Sequence, residues 1–65
     1  MDKQPVCINC EIVSFDGRHG YLVVVCPKCG RVMSAKHPFT YLGHGGPTVN
    51  CSHCHEHIHA YIEWR

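Results

Sequence analysis

Val25-Cys26-Pro27-Lys28-Cys29-Gly30 is the stretch on which the reading of this chain turns. Two cysteines separated by two residues place both sulfurs on one side of a tight turn. Pro27 pre-sets φ for that turn, and Gly30 supplies the positive φ that often follows the second cysteine. The same spacing recurs upstream in Val6-Cys7-Ile8-Asn9-Cys10-Glu11 and downstream in Asn50-Cys51-Ser52-His53-Cys54-His55, so all six cysteines fall in Cys-x-x-Cys pairs. A chain of 65 residues buries too little apolar surface to offset the entropy of ordering its backbone. It needs disulfides, a metal or association with another chain. Met1-Asp2-Lys3-Gln4-Pro5 lacks the charged-then-apolar layout of a signal peptide, and the longest apolar run, Tyr21 to Cys26, is far too short to cross a bilayer. The expectation is therefore a cytoplasmic protein with no membrane partner, whose reduced thiols bind metal.

Zinc takes four ligands in a tetrahedron and favours thiolates in structural sites. The first two pairs are separated by 15 residues, inside the common zinc pattern of two Cys-x-x-Cys pairs about 15–20 residues apart. Cys7, Cys10, Cys26 and Cys29 are thus the preferred ligand set. Cys26, Cys29, Cys51 and Cys54, with a gap of 21 residues, form an alternative set, and an interleaved arrangement is a third. Each scheme leaves one pair over, so one or two Zn²⁺ ions are expected, with two favoured. Cys51 and Cys54 would hold the second ion with two histidines, His37 and His44 first and His57 next. His19 reads as a solvent-facing turn residue. A redox Cys-x-x-Cys pair would need a βαβ setting, which the sequence lacks.

Between the cysteine pairs the chain reads as β structure. Residues 11–15 and 21–25 are rich in β-branched and aromatic side chains, and Asp16-Gly17-Arg18-His19-Gly20 between them carries the signals of a hairpin loop. Residues 31–35 continue as a strand or a short helix. Lys36 to Thr48, with Pro38, Gly43, Gly45, Gly46 and Pro47, reads as irregular. At the end Ile58, Ala60, Ile62 and Trp64 alternate with His57, His59, Tyr61 and Glu63, the pattern of a half-buried strand. The fold class is thus a small, metal-stabilised, β-dominated domain. Residues 6–32 would form a first ribbon with two knuckles, and residues 36–65 a loop, the third knuckle and the terminal strand. The second knuckle resembles those of the zinc-ribbon and rubredoxin-like families, a likeness that implies a structural tetracysteine site and leaves function open.

A closed tetracysteine site has no vacant position at which to activate water, so no enzymatic activity and no small-molecule substrate are expected. The formal net charge is +1; Zn²⁺ with four thiolates lowers it by two, to −1, which argues against indiscriminate attraction to phosphates. Yet no acid lies between Gly17 and His55, where Arg18, Lys28, Arg31 and Lys36 all fall. One reading of function is a regulatory nucleic-acid-binding module, with Lys28, Arg31 and Lys36 meeting phosphates and Phe39 and Tyr41 stacking on bases; the alternative for these two aromatics is a place in the core. Cys7-x-Asn9-Cys10, Ser14-Phe15-Asp16 and Cys26-Pro27-x-Cys29-x-Arg31 resemble the Com-like zinc-finger translational regulators of Mu-type phages, which implies messenger RNA as the partner; the likeness stops near Arg31. The second reading is a protein-interaction module, an adaptor or inhibitor of a larger machine, using Tyr21 to Val25 and Trp64, with a homodimer as one form of it.

Overall fold

The computed structural model describes residues 3–43 and 46–65, which form seven strands and no helix. The strands are β1 (Pro5–Ile8), β2 (Cys10–Phe15), β3 (His19–Val25), β4 (Val32–Thr40), β5 (Thr48–Asn50), β6 (His57–His59) and β7 (Tyr61–Trp64). They pair antiparallel as β2-β3-β4, β5-β6 and β1-β7. The fold is the small β-dominated one expected from the spacing of β-branched runs and turn formers.

The hairpin over residues 16–20 forms as its residues dictate. Gly17 sits at φ 102°, and the Asp16 carboxylate accepts the backbone N–H groups of Arg18 (2.9 Å) and His19 (2.7 Å). An aspartate that closes its own turn in this way holds the strand ends in register. Those two N–H groups, His19's first, also hold the Asp16 carboxyl below its ordinary range.

β3 is the central strand, and Leu22, Val23 and Val24 along it are buried. On its inner face the rungs Cys10–Val24, Ile12–Leu22–His37 and Phe15–Gly20–Phe39 stack in order. Ile58 and Ala60 close over Leu22 and Val24, and the cluster continues into Cys26 and Cys51. The core is small, and three of its members are cysteines, Cys10, Cys26 and Cys51. At the other end of β3, Phe15 stacks on Phe39 with centroids 5.4 Å apart, and Trp64 joins both at 5.8 and 6.3 Å.

Two elements differ from the sequence expectation. Lys36 to Thr40 is not irregular: it continues β4, so the irregular segment begins at Tyr41. Pro38 is tolerated because β4 lies at the edge of its sheet, where the missing N–H breaks no ladder. The terminal strand is broken at Ala60, whose N–H donates to the Pro47 carbonyl (3.1 Å). The chain changes partner there, from β5 to β1, and the alternation of buried and exposed side chains over residues 57–60 gives way to four half-buried residues in β7.

A candidate four-cysteine metal centre

Two of the three Cys-x-x-Cys pairs make the same turn. In the second knuckle the Gly30 N–H donates to the Cys26 carbonyl (2.8 Å) and the Cys26 N–H to the Arg31 carbonyl (2.9 Å). In the third, the His55 N–H donates to the Cys51 carbonyl (2.8 Å) and the Cys51 N–H to the Glu56 carbonyl (2.9 Å). Gly30 and His55, the residues after the second cysteine, both take left-handed φ, 75° and 58°. Each knuckle is the tip of a hairpin, β3-β4 for one and β5-β6 for the other.

The tips face each other. Cys26 Sγ lies 3.3 Å from Cys54 Sγ, Cys29 Sγ is 3.7 Å from Cys51 Sγ and 4.0 Å from Cys54 Sγ, and all four sulfurs fall within 4.8 Å of one another. Four thiolates about 2.3 Å from a tetrahedral ion are separated by about 3.8 Å. The four sulfurs therefore suit one metal ion, and all six cysteines are free thiols. Without an ion the protons are shared unevenly. Cys26 is lowered to about 6, first by the Cys29 N–H, and Cys51 is lowered in the same sense by the Cys54 N–H. Cys54 is pushed up to about 12, chiefly by its hydrogen bond to Cys26. Lys28 and Glu56 link the two knuckles, Nζ to Oε1, at 2.8 Å.

This arrangement corrects the preferred pairing of Cys7 and Cys10 with Cys26 and Cys29: the sulfurs that meet are those of the alternative set, Cys26, Cys29, Cys51 and Cys54. The first pair makes no knuckle. Cys7 lies in β1, Cys10 opens β2, and the left-handed residue between them is Asn9, φ 59°, inside the pair rather than after it. Asn9 is held there by its carbonyl, which accepts the Val25 N–H (2.9 Å), and by its side-chain amide, which donates to the His59 carbonyl (3.1 Å). Cys10 Sγ points to the Tyr61 carbonyl at 3.5 Å. Burial, then the nearby Cys10, pushes the Cys7 thiol up to about 12. Among the described residues no third His, Cys, Asp or Glu joins Cys7 and Cys10. The likeness to the Com-like regulators rests on the first and second pairs, which do not meet on one ion in this fold.

The histidines proposed to complete a second site with Cys51 and Cys54 are displaced by Cys26 and Cys29. His37 sits on β4 opposite Leu22, apart from the thiol cluster, with its Nε2 buried and unpartnered. His57 is bound to Asn50 instead. His44 lies outside the described residues. Of the residues proposed to meet nucleic acid, Phe39 is half-buried against Phe15 and Trp64, and Tyr41 stands edge-on to Trp64 at 5.1 Å. Both fill the aromatic cluster, the alternative the sequence left open for them. Lys28 is paired with Glu56, while Arg31 and Lys36 are exposed.

No family model matches the chain, and neither a curated protein nor a solved structure matches it. Its functional reading rests on the four-cysteine cluster and on the surfaces that the cluster holds in place.

Proposed function

We propose that this chain is a zinc ribbon: a small, non-catalytic recognition module whose two hairpins are clamped by one structural Zn²⁺ on Cys26, Cys29, Cys51 and Cys54, and whose partner is nucleic acid. The observation that carries the reading is the pair of matching knuckles with their sulfurs at tetrahedral spacing. Four thiolates fill the coordination sphere, so the ion's role is to replace the core that so short a chain lacks.

The recognition surface is the outer face of the β2-β3-β4 sheet. Tyr21, 49% exposed, lies there beside Pro38, with Lys36 and Val23 on the next rung and Arg18 in the adjoining turn. An exposed aromatic ring with cations around it suits a single-stranded nucleic acid, whose bases stack while its phosphates meet the charges. Tyr21 thus takes the stacking role expected of Phe39 and Tyr41. Binding of single-stranded RNA and DNA oligonucleotides to the zinc-loaded protein, followed by fluorescence anisotropy across a salt series, tests this. Affinity should fall steeply with salt, and Lys36→Ala, Arg18→Ala and Tyr21→Ala should each weaken it.

A protein partner is the second reading, favoured by Val13 and Val32, 49% and 53% exposed on the same sheet. It predicts binding that is nearly independent of salt and unaffected by Lys36→Ala.

A further inference from the structure

The β5-β6 hairpin has two faces of opposite character. Val49 and Ile58 are opposite each other and turn into the core. On the other face the rungs are Asn50–His57 and Thr48–His59, and all four side chains are exposed. His57 and His59 are thus alternate residues of one strand on one wet face, with Cα atoms about 6.6–6.8 Å apart. Imidazoles so placed can lean together and present a nitrogen each to one ion.

The cross-strand partners orient both rings. His57 Nδ1 lies 2.9 Å from Asn50 Oδ1. An amide oxygen only accepts, so Nδ1 carries the proton and Nε2 carries the lone pair. His59 Nδ1 lies 3.1 Å from Thr48 Oγ1, a hydroxyl that can accept in the same sense. Metal-binding histidines are held in this way, one ring nitrogen donating to a neighbouring oxygen while the other faces the ion. The geometry points to a second metal site, distinct from the thiol cluster: a two-imidazole chelate on His57 and His59, positioned by Asn50 and Thr48, for a borderline transition cation of the Ni²⁺, Cu²⁺ and Zn²⁺ class. Two protein ligands leave the other coordination positions to water or to a donor from outside the chain. The ion is therefore exchangeable, in contrast to one enclosed by four thiolates. The site stands whether or not the partner of the ribbon is nucleic acid.

Titration of Ni²⁺ into the zinc-loaded protein, followed by calorimetry, tests the proposal, with native mass spectrometry reporting the thiol-bound zinc in each variant. The expected result is one further equivalent of metal. His57→Gln and His59→Gln should each weaken it about tenfold or more, and Asn50→Ala and Thr48→Ala less severely, because they release the ring rather than remove the ligand. The variant His19→Gln, at an exposed histidine of the β2-β3 turn, should bind as the parent does. The site is overturned if the parent takes up no further equivalent, if His57→Gln/His59→Gln binds unchanged, or if His19→Gln removes binding. Loss of the zinc itself from the parent would instead count against the ribbon reading.

Discussion

Gly30 and His55 hold the same place in two matching knuckles, at φ 75° and φ 58°, each donating its N–H to the carbonyl of the first cysteine. One position is filled by the residue that adopts this conformation freely and the other by a residue with a Cβ. The asymmetry separates two contributions, the turn the metal site requires and the strain of making it.

Exchanging these residues should move stability in opposite directions. A Cβ at Gly30 would meet nothing within 4 Å, so Gly30→Ala tests φ alone and should destabilise by about 1–2 kcal/mol. His55→Gly relieves the same strain but adds freedom to the unfolded chain, for a net gain of about 0.5–1 kcal/mol. Denaturant unfolding of the zinc-loaded variants measures both. A stabilised Gly30→Ala, or a His55→Gly that loses stability, would mean that the left-handed turns are not what these positions require.

The six cysteines should divide four and two. Serine at Cys26, Cys29, Cys51 or Cys54 removes a donor from the cluster and should abolish tight metal binding, and with it the cooperative unfolding transition, since Cys26 and Cys51 are also core members. Cys7→Ser and Cys10→Ser should keep one tightly bound ion and cost about 1–2 kcal/mol for placing a hydroxyl in a half-buried site at Cys7 and a buried one at Cys10. Metal content by native mass spectrometry, with Trp64 fluorescence as the folding probe, distinguishes the two groups. Retention of the ion by Cys54→Ser together with its loss from Cys7→Ser would reverse the assignment of the ligands.

That division was the part of the site the sequence left open, and the reason is physical. Spacing alone favours the first two pairs, because 15 intervening residues make a natural hairpin, and that hairpin does form. What decides the pairing is the residue after the second cysteine. Gly30 tolerates left-handed φ, and histidine is among the side chains enriched there, whereas Cys10 is followed by Glu11, which lies in β2. The strands were legible where β-branched residues run together. β4 was obscured beyond Ala35 because Pro38 signals a turn unless the strand is known to be an edge, which only the tertiary pairing reveals. In the sequence Lys28 has no visible partner, because Glu56 reaches it only when the two knuckles meet.

Metal affinity should rise with pH, with a slope that reports whether the cluster exists before the ion arrives. Binding requires four thiolates, so it releases each proton that the metal-free cluster still holds. Cys26, lowered to about 6 by the Cys29 N–H, is already ionised at neutral pH in a preassembled cluster. About four protons are then released below pH 6 and at most about three just above it, since Cys51 is lowered in the same sense. In an unfolded metal-free chain all four thiols stay near their ordinary value of about 8.5, and a slope of about four decades per pH unit would persist to about pH 8. Competition with a chromophoric chelator between pH 5.5 and 8 shows which. A break near 6 supports the preassembled cluster, and a constant slope means that the ion organises it.

Gly20 should be the least replaceable position in the central strand. A Cβ there would run into the Ser14 carbonyl oxygen and lie 2.7 Å from Phe39 Cζ. The ring can turn, but the carbonyl belongs to β2 and is fixed by the ladder it pairs in. Gly20→Ala should therefore push β2 from β3 and loosen the stack of Phe15 on Phe39, costing about 1–3 kcal/mol. The damage lies at the aromatic end of β3, whereas the thiol cluster lies beyond its other end. The variant should accordingly keep its metal while its Trp64 emission shifts to the red and its unfolding midpoint falls. Gly20→Ala in the Phe39→Leu background should lose less than in the parent, because part of the clash is with the ring. Equal losses in both backgrounds would place the whole cost on the backbone contact with Ser14.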